Sequence, residues 1–122
     1  MSVAPGSYVA RAPAGQKVTL RVATNGEWIT GVDAKARLSC QNGASLPVSL
    51  SWRSDSVFIY SGSASATLPI TPGGPVLGGS ASLSARFTAP AGLQGELGIR
   101  VEAARRGLGS CSGQLDFTAG RA

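Results

Sequence analysis

The sequence contains no histidine. That removes the commonest general base and the commonest metal ligand together. Serines are abundant, but none has a histidine beside it or a Ser-x-x-Lys context to activate it. Cysteine occurs only at Cys40 and Cys111, with no Cys-x-x-Cys and no Cys/His cluster, so a zinc site is not expected. Charged residues make up 14% of the chain and aromatics 6%. No window approaches the roughly 18 apolar residues of a membrane-spanning helix. The opening Met-Ser-Val-Ala-Pro-Gly lacks the charged start and apolar run of a secretory signal. These absences argue against an enzyme and predict neither cofactor nor metal.

What the sequence does have is alternation. Lys17 to Ala23 puts Val18, Leu20 and Val22 on one side and Lys17, Thr19 and Arg21 on the other. Trp28 to Cys40 does the same over thirteen residues, with Gly31 as an expected bulge. Side chains alternate across a strand, so each such run has one buried and one wet face. Further strands are expected at 6–10, 47–53, 57–60, 63–70, 81–88, 93–103 and 107–119. Asn25-Gly26 and Asn42-Gly43 are hairpin signals, because both residue types tolerate positive φ. Other turns are expected at Ala14-Gly15, Ser54-Asp55-Ser56, Pro90-Ala91-Gly92 and Arg105-Arg106-Gly107. Thr71 to Gly79, with two prolines and four glycines, reads as a loop. The expectation is one all-β domain over residues 1–122, an antiparallel β-sandwich or flattened β-barrel of about nine strands.

Cys40 and Cys111 both fall on the apolar parity of their strands, near Leu38 and Leu115. They are expected to form a disulfide tying the last strand to the first half of the chain. Such a bridge persists mainly outside the reducing cytosol. The expected location is therefore secreted or cell-envelope, with any signal already removed.

Three groups of residues are candidates for contact with a partner. The net charge is +5, and Lys17, Arg21, Lys35 and Arg37 lie on strands joined by the Asn-Gly hairpin, so they form a candidate polyanion patch. Trp28, Phe58 and Tyr60 are candidates for an interface or a ligand-stacking surface, whereas Trp52 shares parity with the core residues Val48 and Leu50. In the run Val57 to Tyr60, either Phe58 and Tyr60 or Val57 and Ile59 must face outward unless something covers them. Among the acids, Asp33 and Asp116 would approach only if their strands were neighbours. No aromatic interleaving marks a single-strand nucleic-acid platform, and nucleic acid is not an expected partner.

Four stretches carry a resemblance to a known group: Gly6-Ser7-Tyr8, Gly15 to Val22 (Gly-x-x-Val-x-Leu-x-Val), Cys40-Gln41-Asn42-Gly43, and Cys111 to Ala119 (Cys-x-Gly-x-Leu-x-Phe-x-Ala). In this pattern the chain resembles small secreted actinobacterial β-domains of unassigned function. Phe117 stands where that group often has Trp, and residues 47–79 match poorly. The resemblance implies export from a bacterial cell and a Cys40–Cys111 bridge, and it carries no activity. The expected function is that of a non-catalytic module binding a surface polymer, glycan or protein. The alternative is a self-assembling structural subunit, a coat, filament or decoration protein that forms homo-oligomers.

Overall fold

The alternation of the sequence becomes eight long antiparallel strands in a computed structural model. It describes residues 4–11, 15–74, 76–88, 92–104, 107 and 109–121, the side chains of 54–56 and 121 excepted. The strands are β1 (Gly6–Arg11), β2 (Lys17–Val22), β3 (Trp28–Cys40), β4 (Ser45–Phe58), β5 (Ser63–Ile70), β6 (Val76–Thr88), β7 (Gly92–Ala103) and β8 (Ser110–Arg121). They form one sheet in the order β4-β3-β2-β1-β8-β7-β6-β5. Two four-strand meanders are thus joined where the first strand pairs with the last. The expected turns at Ala14-Gly15, Pro90-Ala91-Gly92 and Arg105-Arg106-Gly107 lie partly outside the described residues.

Eight strands replace about nine because Ser54-Asp55-Ser56 is not a turn. β4 runs straight through it. Ile29 pairs with Val57 and Gly31 with Arg53, so the partner strand spans the same height with fewer residues and the extra ones form a bulge. The bulge reverses the parity of β4: Arg53 faces out, and Val57 is buried four residues later. Phe58 is thereby turned outward. The opposite irregularity falls at Thr30 on β3, beside the glycine expected to bulge, between the pairs Arg21–Gly31 and Val22–Ile29. A second correction concerns the proline- and glycine-rich loop. It is shorter than expected, because β6 begins at Val76 and Gly78 and Gly79 already pair with β7.

Both Asn-Gly turns are built alike. The Asn25 side chain accepts the Glu27 N–H at 3.0 Å, and that of Asn42 accepts the Ala44 N–H at 2.9 Å. Such side-chain turns fix the corner without a long loop. A third tight corner joins the end of β4 to β5. Ser61 (φ 51°) and Gly62 (φ 77°) both adopt positive φ, and Tyr60 and Ser63 exchange backbone hydrogen bonds of 2.7 and 3.0 Å. This two-residue loop matches the right-handed twist of its strands.

The inward parities assemble one apolar core, and among the described residues no polar or charged side chain is fully buried in it. Tyr8 reaches across from β1 to meet Phe87 of β6 edge-on at 5.3 Å. Its hydroxyl escapes to the Ala4 carbonyl at 2.7 Å, so the ring is buried without stranding a polar atom. The sheet curls until its two edges meet. Pro47 lies on edge strand β4 and Pro69 on edge strand β5, positions where a missing N–H costs no ladder bond. Across this unladdered seam, the Trp52 indole N–H donates to the Pro69 carbonyl at 2.7 Å. The architecture is a flattened barrel with one open seam.

Cys40 and Cys111 tie the two meanders together from within. β1 and β2 are only six residues long, while β3 and β8 have thirteen and twelve. Past the end of the short hairpin, β3 and β8 meet directly, pairing Ser39 with Ser112 and Cys40 with Cys111. The bridge joins these two facing residues, with Cα atoms 3.9 Å apart. Gly113 makes the approach possible, since a Cβ there would lie 2.9 Å from a Leu38 methyl. Closing a loop of 71 residues stabilises the fold by ~4 kcal/mol in the chain-entropy view. We expect Cys40→Ser/Cys111→Ser to lower the unfolding free energy in urea by about 3–5 kcal/mol. A loss below about 1 kcal/mol would mean that strand pairing alone closes the barrel.

Candidate functional site

The outward parities give the barrel two chemically different faces. On β5 to β8 the register lines up neutral hydroxyls and amides with a few charges. One row runs Ser65, Ser84, Glu96, Asp116; the next runs Ser63, Arg86, Gln94, Thr118; a third runs Thr67, Ser82, Gly98, Gln114. Gly98 has nothing within 4 Å of where a Cβ would stand, which leaves the floor low between Ser82 and Gln114. An open depression of about 920 Å³ lies over this surface. Ser63, Ser65, Arg86, Gln94 and the acids Glu96 and Asp116 line it, and Phe58 and Tyr60 form its rim.

Those two rings are exposed by 61% and 84%, which for side chains of this size is unusual unless something covers them. Their positions follow from the local backbone. The β4 bulge turns Phe58 outward, and the strained corner at Ser61 holds Tyr60 one residue before the turn. The Phe87 N–H donates to the Gly62 carbonyl at 2.7 Å and fastens that corner to the sheet. Trp28 does not line the depression. It is half-buried and packs its ring on Phe58 at 5.5 Å, tilted by 42°, so it braces the rim from behind. Trp52 is half-buried against the core, as its parity requires.

Glu96 and Asp116 were not paired by sequence reasoning. They face each other directly across β7 and β8, and Gln114 donates to Asp116 at 3.0 Å. Parity shows that each points outward, but their pairing depends on register. Asp33 and Asp116 do not come together. Their strands meet only at the cysteine ends, and Asp33 stands between Thr19 and Ser51.

The face of β1 to β4 is basic. Lys17 stands directly opposite Lys35 across the hairpin, and Arg37 follows on the same side. Arg21 is drawn away from this group. Its guanidinium lies 2.8 Å from Asp33, and Arg53 reaches the same carboxylate at 3.4 Å. Gly31 supplies the room, because a Cβ there would come within 3.1 Å of Arg53 and 3.4 Å of Arg21.

Among the described residues no group of acids, cysteines and histidines could hold a metal ion, and no helix is long and apolar enough to cross a membrane. No family model, curated protein or solved structure matches the chain.

The Ser51 hydroxyl, 2.6 Å from Asp33, is the main cause that holds the Asp33 carboxyl below its ordinary range; burial opposes it, and the charges of Arg21 and Arg53 add to the lowering. A depressed carboxyl stabilises the fold above its unfolded pKa, near ~3.9, and that stabilisation is lost as pH falls through the lower folded value. Asp33→Asn should therefore be less stable than the parent at pH 7, with the difference shrinking as pH falls below the ordinary carboxylate range. Thermal melts of both proteins across pH 2.5–7 measure this; a difference independent of pH would contradict it.

Proposed function

We propose that this chain is a non-catalytic, extracellular or envelope-associated binding module whose open groove over β5 to β8 takes a neutral glycan chain. One observation carries the reading: two large aromatic rings stand exposed at the rim of a floor made of hydroxyls, amides, the Glu96 and Asp116 carboxylates and the Arg86 guanidinium. Sugars offer that combination in reverse. Their C–H faces stack on aromatic rings, and their hydroxyls pair with side chains such as Ser, Gln, Glu and Asp. Facing carboxylates such as Glu96 and Asp116 favour a neutral hydroxyl-rich chain over an anionic one. The disulfide supports oxidising surroundings, and with them export.

Self-assembly would draw on the same exposed rings and on the open edges β4 and β5. Against it stand the two edge prolines and the Trp52 bond across the seam, both of which blunt strand addition. A molar mass that stays monomeric as concentration rises is expected.

Affinity electrophoresis through gels containing a β-glucan, a galactomannan or a dextran tests the groove. At least one polymer should retard the protein, and Phe58→Ala and Tyr60→Ala should each weaken retardation by about tenfold, the cost of one lost stacking contact. Leu77→Ala is the exposed apolar control and should change nothing. No retardation by any polymer, or equal losses in all three variants, would refute the glycan reading.

A further inference from the structure

The second face carries a separate binding surface. Outward residues of β1 to β3 and of residues 45–53 in β4 include Arg11, Lys17, Arg21, Lys35, Arg37 and Arg53, against the single acid Asp33. Six cations less one acid is +5, the net charge of the entire chain. The remaining cations and acids of the sequence balance. Among the described side chains of β6 to β8, by contrast, Arg86 and Arg100 stand against Glu96, Glu102 and Asp116, so the described cations are concentrated on one face.

Within that face the register concentrates it further. Arg11 pairs with Lys17, and Lys17 with Lys35, so three cations stand in one row across three adjacent strands. Strands lie about 4.8 Å apart, which places the row within roughly 10 Å. Arg37 stands two residues along β3. Among the described residues none of these four is in a salt bridge, because Asp33 is taken by Arg21 and Arg53. Like charges directly opposite one another in a sheet destabilise it. A fold gains nothing from such a row by itself. A polymer with closely spaced anions relieves the repulsion and releases its own counterions.

We propose that Arg11, Lys17, Lys35 and Arg37 form a docking surface for a linear phosphate-bearing polymer, read by charge alone. The choice of phosphate follows from the groups present. Two guanidiniums offer forked donors that fit oxyanions, and two ammoniums supply point charges. Reading by charge alone follows from what the face lacks. The exposed rings Phe58 and Tyr60 line the other groove, and both tryptophans are half-buried, so bases would find no platform to stack on. The surface is independent of the glycan groove and stands or falls without it.

Binding to fluorescently labelled inorganic polyphosphate at several salt concentrations tests this. Four released counterions at about 0.7 each predict roughly a 50-fold loss of affinity between ~50 and ~200 mM salt. Lys35→Glu and Arg100→Glu change the net charge equally but sit on different faces. Lys35→Glu should weaken binding about tenfold and Arg100→Glu less than about twofold. Asp33→Asn should tighten it, by freeing Arg21 and Arg53, a gain that a misfolded variant would not show. Equal losses in Lys35→Glu and Arg100→Glu would mean that net charge alone attracts the polymer, and would overturn the proposal. So would tighter binding of oligothymidylate than of polyphosphate with the same number of phosphates, which would make the partner a nucleic acid.

Discussion

Everything in this molecule depends on the closure of β3 against β8. A strand ladder that ends in open edges invites slippage and association. Here the first hairpin is too short to separate its two long neighbours along their full length, and they rejoin beyond it at Cys40 and Cys111. The bridge fixes that junction covalently between the two halves of the chain. With the register of β3 and β8 fixed, the rows of side chains on either side of them are fixed as well. The cation row is reckoned from the pairing of β3 with β2, and the glycan floor from the pairing of β8 with β7.

From that junction the two faces diverge in chemistry. Among the described side chains the β1–β4 face is strongly basic, and its one described carboxylate, Asp33, is held by two arginines over Gly31. The β5–β8 face is nearly neutral and carries the exposed rings. A small barrel with no deep cavity has only its outer surface to offer a partner. On the proposed reading, flanks of different chemistry would let a module of this size hold two components of a polymer network at once. Linked contacts of that kind raise avidity without any new interaction.

Much of the fold was legible because a strand advertises its faces. The parity of Val18, Leu20 and Val22, or of Leu115 and Phe117, is a local property that survives any arrangement of neighbours. The disulfide was legible for the same reason, since two inward cysteines in a chain with no others have one partner each. The Asn-Gly corners carried their own turn chemistry. What misled was the local breaking of period. Ser54-Asp55-Ser56 has the composition of a turn, yet pairing with β3 keeps the chain extended and absorbs the surplus as a bulge. Candidate sites were harder, because they arise from register. Lys17 beside Lys35 followed from a hairpin, whereas Arg11 joining that row and Glu96 facing Asp116 require knowing which residues stand opposite. Trp28, one of the candidate contact residues, packs its ring on Phe58, which is turned out in front of it.

The most direct measurement is a backbone amide NMR titration of one protein sample with a retarding glycan and, separately, with polyphosphate. Two functional faces require shifts that segregate: residues around Tyr60, Ser84, Glu96 and Asp116 with glycan, and residues around Lys17, Lys35 and Arg37 with polyphosphate. Shifts from both ligands on the same strands, or scattered evenly over the barrel, would contradict a division of labour between the two flanks.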